Sequence, residues 1–193
     1  MMQAFYQYSI TGLWVAWLLY WIAAAPGAKP IRRREELAAR LSHLVPLALG
    51  LALLLPRHVA VAWLTMRILP SSAAGFWIGF VLVALGLAFA VAARAVLGSN
   101  WSGVVTVKQD HELIRSGPYR WVRHPIYTGL LVALLGSVIA LGEVRGVIAL
   151  ALFTLAFLRR VTIEERLLAD EFGAAYSAYC REVPRLVPSP WRR

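Results

Sequence analysis

Long apolar segments separated by short basic segments dominate the chain. Four apolar runs are nearly uninterrupted, and they cover residues 8–25, 75–97, 126–142 and 146–158. A helix needs about 20 mostly apolar residues to cross a bilayer, so we expect each run to form a membrane-spanning helix. Because only residues 143–145 separate the last two runs, the pattern predicts a tight helical hairpin.

A fifth apolar segment, residues 44–69, is interrupted near its middle by Pro56, Arg57 and His58. Proline removes a helical hydrogen bond, and charged groups are costly in lipid. The segment fits either one kinked spanning helix or a short helix pair that dips into the membrane. Arg57 and His58 fit either a polar break at an interface or groups that face a cavity.

These segments together predict an all-α, polytopic transmembrane protein with about five spans. We expect one integral membrane domain over residues 1–193, in which residues 1–97 hold the N-terminal spans and residues 98–193 form a second functional half. Arg94 lies about one turn from the end of the third span, and we expect it to anchor that span at the interface.

Lysine and arginine are concentrated in three segments, residues 29–40, 98–125 and 159 onward. Membrane proteins keep such loops on the cytoplasmic side, which predicts an N-terminus outside and a C-terminus in the cytoplasm, most simply in an inner or plasma membrane. The net charge is +10, but the basic residues lie between apolar runs rather than on one soluble face. We therefore expect the bilayer as a partner and no nucleic acid.

Two polar segments complete the expected architecture. Residues 101–107 alternate weakly and fit a loop better than a short strand. The tail predicts a helix that begins at Thr162, with Glu165 three residues later as in a capping box, and stops at Pro184. We expect this cytoplasmic helix to lie on the membrane surface or to close over the polar loop.

Reactive and turn-forming residues are densest in residues 117–129, where a loop enters the fourth span. Gly117-Pro118 indicates a turn, and Pro125 fits the first turn of a helix. Arg123 and His124 then lie at a helix N-terminus, where free amides and the helix dipole favour an anion. A simpler interpretation is that these cations only anchor the span at lipid headgroups.

A second polar cluster, Glu164-Glu165, follows the fifth span and is flanked by arginines. The short hairpin should bring these acids close to Arg123 and His124. One acid is then available to a ligand hydroxyl or amine while the other pairs with arginine. The alternative is a solvated face of the tail helix. The histidines and the one cysteine are not clustered at ligand spacing, so we expect no metal site.

The order and spacing of these motifs resemble the isoprenylcysteine carboxyl methyltransferase and phospholipid methyltransferase superfamily, including its bacterial integral membrane members. The string Arg-His-Pro-Ile-Tyr-Thr-Gly at residues 123–129 follows Gly117-Pro118-Tyr119. After the hairpin come Glu164-Glu165, Phe172-Gly173 and Val183-Pro184. The resemblance covers residues 95–188, and the N-terminal half shares only its hydropathy.

The resemblance implies a methyltransferase that holds S-adenosyl-L-methionine near the cytoplasmic face, enclosed by the polar loop, the Arg-His-Pro helix end and the C-terminal helix. The residues that it implies for cofactor binding are Gly117, Pro118, Tyr119, His124, Tyr127, Glu164 and Glu165. By the same resemblance Arg123 would orient an anionic acceptor. Glu165 is the candidate base if the acceptor is an amine.

The implied acceptor is a lipophilic small molecule or a lipidated group, with the carboxylate of an isoprenylcysteine-like compound as the leading candidate. Two other classes remain open. Membrane sterol and steroid reductases carry a related C-terminal pattern, so a nicotinamide-dependent lipid reductase is the enzyme alternative, although those enzymes usually have more spans. A non-catalytic membrane scaffold is the other, with Arg57 and His58 as its principal polar groups.

Overall fold

The computed structural model describes residues 2–25, 31–34, 37–54, 61–101, 106–108 and 113–188. These residues are nearly all helical, as the sequence predicts. The helices are α1 (Met2–Ala23), α2 (Leu37–Leu54), α3 (Ala73–Leu97), α4 (Pro125–Leu141), α5 (Val144–Phe172) and α6 (Ala174–Glu182), with short 3-10 turns at Ala62–Thr65, Gly98–Asn100 and Gly117–Arg120. Two short strands, β1 (Ile31–Arg34) and β2 (Thr106–Lys108), pair antiparallel.

Five apolar helices follow one another in the order that the hydropathy pattern predicts. By length and composition, α2, α3 and α5 are each able to cross a membrane, and the apolar part of α1 (Tyr8–Ala23) and α4 are shorter. This set of helices identifies an integral membrane protein. The α4–α5 connection is the predicted tight hairpin, with a turn at Gly142 and Glu143.

The second span differs from the predicted segment 44–69. Helix α2 begins at Leu37 and ends at Leu54, with Pro46 inside it. Residues 61–72 hold one 3-10 turn and otherwise non-helical chain, and Arg67 forms an isolated β-bridge with Glu143 at the α4–α5 turn. The interruption at residues 56–58 lies outside the described residues. The expectation of a loop at residues 101–107 is wrong at its end, because Thr106 and Val107 belong to β2.

No separate tail helix begins at Thr162, so that prediction is wrong. Helix α5 runs without interruption from Val144 to Phe172, and the Thr162 hydroxyl donates to the Leu158 carbonyl at 2.9 Å instead of capping a new helix. No glycine or proline interrupts residues 159–162, so the helix continues until Gly173, which has φ 51°. At ~1.5 Å per residue α5 is about 43 Å long, more than a ~30 Å hydrocarbon core, so its last turns extend beyond the apolar segment.

Helices α3 and α4 pack at backbone distance through facing glycines. A Cβ added at Gly86 would lie 2.5 Å from the Gly129 carbonyl, and one added at Gly79 would lie 2.5 Å from the Gly136 carbonyl. Small residues allow membrane helices to approach this closely. The contact fixes the position of α4, whose N-terminus carries the Arg-His-Pro motif.

Arg94 does not anchor α3 at an interface as expected, because its side chain is buried. Its guanidinium donates to the carbonyls of Gly98 at 2.9 Å and Ala24 at 2.5 Å, and it lies over the Trp101 ring at 4.4 Å. Both carbonyls lie at helix C-terminal ends, where a cation is favourable. Arg94 therefore ties the end of α1 to the end of α3.

The close glycine contact predicts that an added methyl group destabilises the protein at Gly86 and not at Gly12. Gly86→Ala should lower the free energy of unfolding by about 1–3 kcal/mol, because the new Cβ overpacks the α3–α4 contact. The matched control is Gly12→Ala on α1, where nothing lies within 4 Å of the added Cβ. Thermal unfolding in detergent measures both variants. Equal or higher stability of the Gly86 variant relative to Gly12→Ala would contradict the packing described here.

Candidate functional site

The site begins where the 3-10 turn Gly117–Arg120 leads into α4. Proline is the first residue of α4, and His124 occupies the N-cap position with a non-helical backbone. The turn at Gly142, with φ 66°, then sends α5 back alongside α4. Glu164 and Glu165 consequently lie beside His124, so the two sequence clusters converge in space.

His124 lies between the two acids. Its Nδ1 is 3.5 Å from Glu164 Oε2, and its Nε2 is 3.3 Å from Glu165 Oε1. Burial lowers the pKa of His124, but hydrogen bonds and charge interactions with the two carboxylates outweigh burial and raise its pKa above the ordinary value. Only the imidazolium form has a hydrogen on both ring nitrogens, so it is the form that satisfies both acids.

Glu164 is held by groups on α4 and α5. The Tyr127 hydroxyl donates to Glu164 Oε1 at 2.5 Å, and Arg160 Nε donates to the same oxygen at 3.1 Å. Arg160 stands one helical turn before Glu164, a spacing at which opposite charges meet. The Tyr127 ring packs on Phe157 with centroids 5.1 Å apart, which fixes the direction of the hydroxyl.

Glu165 binds two arginines from different parts of the chain. Arg123 donates to Glu165 Oε1 through Nε at 2.9 Å and Nη2 at 2.7 Å, and Arg185 Nη2 lies 2.5 Å from Oε2. The Glu165 side chain is only 10% exposed, so it needs these cations to compensate for lost hydration.

The guanidinium of Arg123 already donates most of its hydrogen bonds within the protein. Its Nη1 also donates to the carbonyls of Cys180 and Val183, so four of its five N–H donors are used and the side chain is 8% exposed. Burial lowers the pKa of Arg123, but the hydrogen bond with Glu165 and the charge interactions with Glu165 and nearby groups together outweigh burial and raise the pKa. The expectation that Arg123 orients an anionic acceptor stays a prediction, and in this structure these donors hold Glu165 and the C-terminal segment.

The C-terminal segment lies across the start of α4. The backbone amides of Arg123 and His124 donate to the carbonyls of Pro184 at 2.8 Å and Arg185 at 3.0 Å, and the Thr128 hydroxyl donates to the Leu186 carbonyl at 2.7 Å. These bonds satisfy amides that a helix N-terminus leaves unpaired. Helix α6 and the residues after it thus close over the turn that carries the motif.

Helix α6 also presents two tyrosines to the turn. The Tyr179 hydroxyl donates to the Tyr119 carbonyl at 2.5 Å, and burial raises the pKa of Tyr179 to about 12. Burial likewise raises the pKa of Tyr119 and of Tyr176. The Tyr176 hydroxyl is buried without a hydrogen-bond partner among the described residues. An unsatisfied hydroxyl beside charged groups is available to a ligand.

The seven residues predicted to bind a cofactor fall into two groups. His124, Tyr127, Glu164 and Glu165 contact one another directly. The remaining three form the neighbouring turn: Gly117 has φ 58° and lies against Val96, Pro118 accepts the Trp121 amide, and Tyr119 is buried. Arg185 is part of the cluster without having been predicted. Arg160 also belongs to the cluster, and its i,i+4 spacing to Glu164 is visible in the sequence.

A metal does not fit this part of the protein. Among the residues that the structure describes, no three histidine, cysteine or acidic side chains are grouped so that they could hold an ion. The polar atoms around His124 instead pair acids with cations, which is a set suited to an organic ligand with both charges.

Residues 77–170, from α3 to the last turn of α5, match the model of the isoprenylcysteine carboxyl methyltransferase family. The matched residues include the Arg-His-Pro motif and both acids. Together with the relatives and the solved structure below, they support a relationship between this chain and the isoprenylcysteine carboxyl methyltransferase superfamily.

Several protein-S-isoprenylcysteine O-methyltransferases are also similar to the chain in sequence. The chain is 34% identical over 124 residues to the protein-S-isoprenylcysteine O-methyltransferase of Schizosaccharomyces pombe, covering 61% of this chain and 49% of that protein. It is 28% identical over 151 residues to protein-S-isoprenylcysteine O-methyltransferase B of Arabidopsis thaliana, covering 71% of this chain and 77% of that protein. Against the Homo sapiens enzyme it is 35% identical over 113 residues, covering 57% and 40%.

A solved structure has a similar fold. The eukaryotic intramembrane Ras methyltransferase ICMT, solved without a monobody, aligns with a TM-score of 0.51 and 25% identity over 80% of this chain and 50% of that chain. The chain thus spans about half the length of this structure and of the Schizosaccharomyces pombe protein.

The position of His124 between two acids predicts a pH-dependent contribution to stability. Because its pKa is raised in the folded protein, that contribution is complete below the unfolded pKa of about 6.5 and is lost as pH rises through the folded pKa. His124→Gln should therefore cost more stability at about pH 6 than at about pH 9. Thermal unfolding of both proteins at the two pH values measures the difference. Tyr127→Phe, which removes one bond to Glu164 and keeps His124, should cost the same at both. A cost of His124→Gln that grows with pH would contradict the assignment.

Proposed function

We propose that this chain transfers a methyl group from S-adenosyl-L-methionine to the carboxylate of a lipophilic, isoprenylcysteine-like acceptor at the cytoplasmic face of a membrane. The observation that carries the proposal is the cluster of His124, Glu164 and Glu165 at the meeting point of α4 and α5. These residues lie within the segment that matches the family. The names of the relatives support the reaction, and the apolar helices support a membrane-bound acceptor.

The residues present fit the proposed cofactor. S-adenosyl-L-methionine carries an ammonium group, ribose hydroxyls and a sulfonium, all of which favour carboxylate or aromatic neighbours. Glu164 and Glu165 provide carboxylates, and Tyr127 provides an aromatic face beside them. The unpartnered Tyr176 hydroxyl adds a further polar contact. The turn of Gly117, Pro118 and Tyr119 would border the same pocket, as the family resemblance implies.

Methyl transfer to a carboxylate needs little acid or base catalysis. When bound, the cofactor supplies a methyl group on positively charged sulfur, which a carboxylate oxygen attacks directly while the electron pair of the broken carbon–sulfur bond passes to sulfur. A carboxylate is already ionised at neutral pH, so no base is required. The chain supplies orientation and exclusion of water, which together are worth up to about 7–11 kcal/mol for well-aligned reactants. Were the acceptor an amine, Glu165 would be the nearest candidate base.

The acceptor is proposed to reach the site from the bilayer, while the cofactor enters from the cytoplasm. The basic segments support a cytoplasmic location of the motif-bearing end of α4, because lysine and arginine favour that side. The same count supports an N-terminus outside and a C-terminus in the cytoplasm. A lipidated acceptor then has its chain in lipid and its carboxylate at the level of His124.

Cofactor binding tests the proposal. Calorimetric titration of detergent-purified protein with S-adenosyl-L-methionine should show saturable binding, and Glu164→Gln or Glu165→Gln should weaken it at least about tenfold, the effect of losing one charge-assisted hydrogen bond. Glu171→Gln is the control, because Glu171 is an exposed acid on the same helix. It should leave the dissociation constant unchanged.

The contrary outcome is equally specific. A folded protein that fails to bind S-adenosyl-L-methionine removes the methyltransferase proposal. A parallel titration with NADPH then separates the two remaining classes, because binding would favour a nicotinamide-dependent reductase and the absence of binding would favour a scaffold.

A further inference from the structure

Arg185 differs from the other cations around the acids in its exposure. Its side chain is 50% exposed, whereas that of Arg123 is 8% exposed and that of Arg160 is 16% exposed. Within the part of the chain that the structure describes, Arg185 makes one ion pair, to Glu165 Oε2, while Arg123 and His124 share the other oxygen of Glu165. Half-exposed ion pairs are weak and exchange readily. Glu165 would therefore keep its buried partners if Arg185 bound a different carboxylate.

The backbone fixes Arg185 at the edge of the cluster. Its carbonyl accepts the His124 amide at 3.0 Å, and the carbonyl of the next residue, Leu186, accepts the Thr128 hydroxyl at 2.7 Å. The guanidinium is thus attached to an anchored segment but remains accessible. Arg185 also lies outside residues 77–170, which the family model matches.

The two residues that follow Arg185 line an apolar groove. It has a volume of about 270 Å³, near the lower end of ligand pockets at about 300 Å³, and Leu186 and Val187 line it together with α4 and α5. Its α4 wall extends from Thr128 to Leu135, a distance of about 10 Å at ~1.5 Å per residue. The groove therefore leads away from the charged cluster along the apolar part of the hairpin.

We propose that Arg185 and this groove form the acceptor site, in which the guanidinium binds the carboxylate of the acceptor and the groove holds the beginning of its apolar chain. The inference rests on the proposed function and adds the residue that selects an acid over a neutral lipid. Charge complementarity argues for this occupant, because a cation at the polar end and an apolar wall beyond it match an amphiphile with an anionic head. Arg185 would bind one carboxylate oxygen and leave the other free to react.

The test compares an acid with its own ester. N-acetyl-S-farnesylcysteine and its methyl ester share the chain and differ in charge, and their binding to purified protein is measured by titration. Arg185→Ala should weaken binding of the acid at least about tenfold and leave binding of the ester unchanged, and Arg185→Lys should restore part of the loss. Arg181→Ala, which removes an exposed cation from α6, is the matched control.

A second pair of variants tests whether the groove holds the apolar chain. Val132→Trp should weaken both the acid and the ester, because the indole fills the groove. Leu85→Trp, at an exposed α3 position, should weaken neither. Acid binding within about twofold of wild type in Arg185→Ala, or equal losses for acid and ester, would overturn the role of Arg185.

The two proposals fail separately. Arg185-dependent binding of the acid without any methyl transfer would retain the acceptor site and remove the methyltransferase function. Methyl transfer with an unchanged KM for the acid in Arg185→Ala would retain the function and remove the acceptor site. Titration with palmitate adds a second acid: Arg185-dependent binding supports recognition of a carboxylate beside an apolar chain, and binding that is independent of Arg185 contradicts it.

Discussion

The pairing of buried charges between the start of α4 and the end of α5 is the constraint on which the rest of this structure depends. Glu165 is 10% exposed, and burying a carboxylate is costly unless cations and donors compensate for its lost hydration. Arg123 and His124 supply that compensation from a different segment. The charges can pair only if α4 and α5 form an antiparallel hairpin of matched length, so the electrostatics of the site and the topology of the membrane helices depend on each other.

Packing elsewhere in the molecule supports this pairing. The glycine contacts bring α3 and α4 to backbone distance and set the height of the α4 N-terminus. Arg94 ties the ends of α1 and α3 together beside the turn that precedes the motif. The residues after α6 satisfy the free amides of Arg123 and His124. A ligand that enters this cluster must therefore replace interactions that the protein already makes, and the half-exposed Arg185 is the cation that can be released with the smallest loss.

Much of this arrangement could be predicted from the sequence because it depends on local patterns. Apolar run length predicted five apolar helices, although α2 differs from the predicted segment 44–69, and the three-residue connection predicted the hairpin that brings Glu164 to His124. The rest depends on contacts between distant segments. The burial of Arg94 requires the Ala24 carbonyl, 70 residues away, and the hydrogen bonds of Arg123 require the carbonyls of Cys180 in α6 and of Val183 just after it. The prediction that a helix begins at Thr162 was wrong because the same capping-box residues also fit the interior of a helix when no preceding residue breaks it. Arg185 carries no motif of its own, and its importance is visible only from its pairing with Glu165.

Formation of a methyl ester is the most direct test of the account. The purified chain in detergent or lipid vesicles would be incubated with isotope-labelled S-adenosyl-L-methionine and N-acetyl-S-farnesylcysteine, and the label in the ester would be measured by mass spectrometry. The proposed function predicts saturable ester formation by the wild-type protein and its loss in Glu165→Gln. A folded protein that binds both compounds and forms no ester, or a Glu165→Gln variant that is as active as wild type, would contradict it.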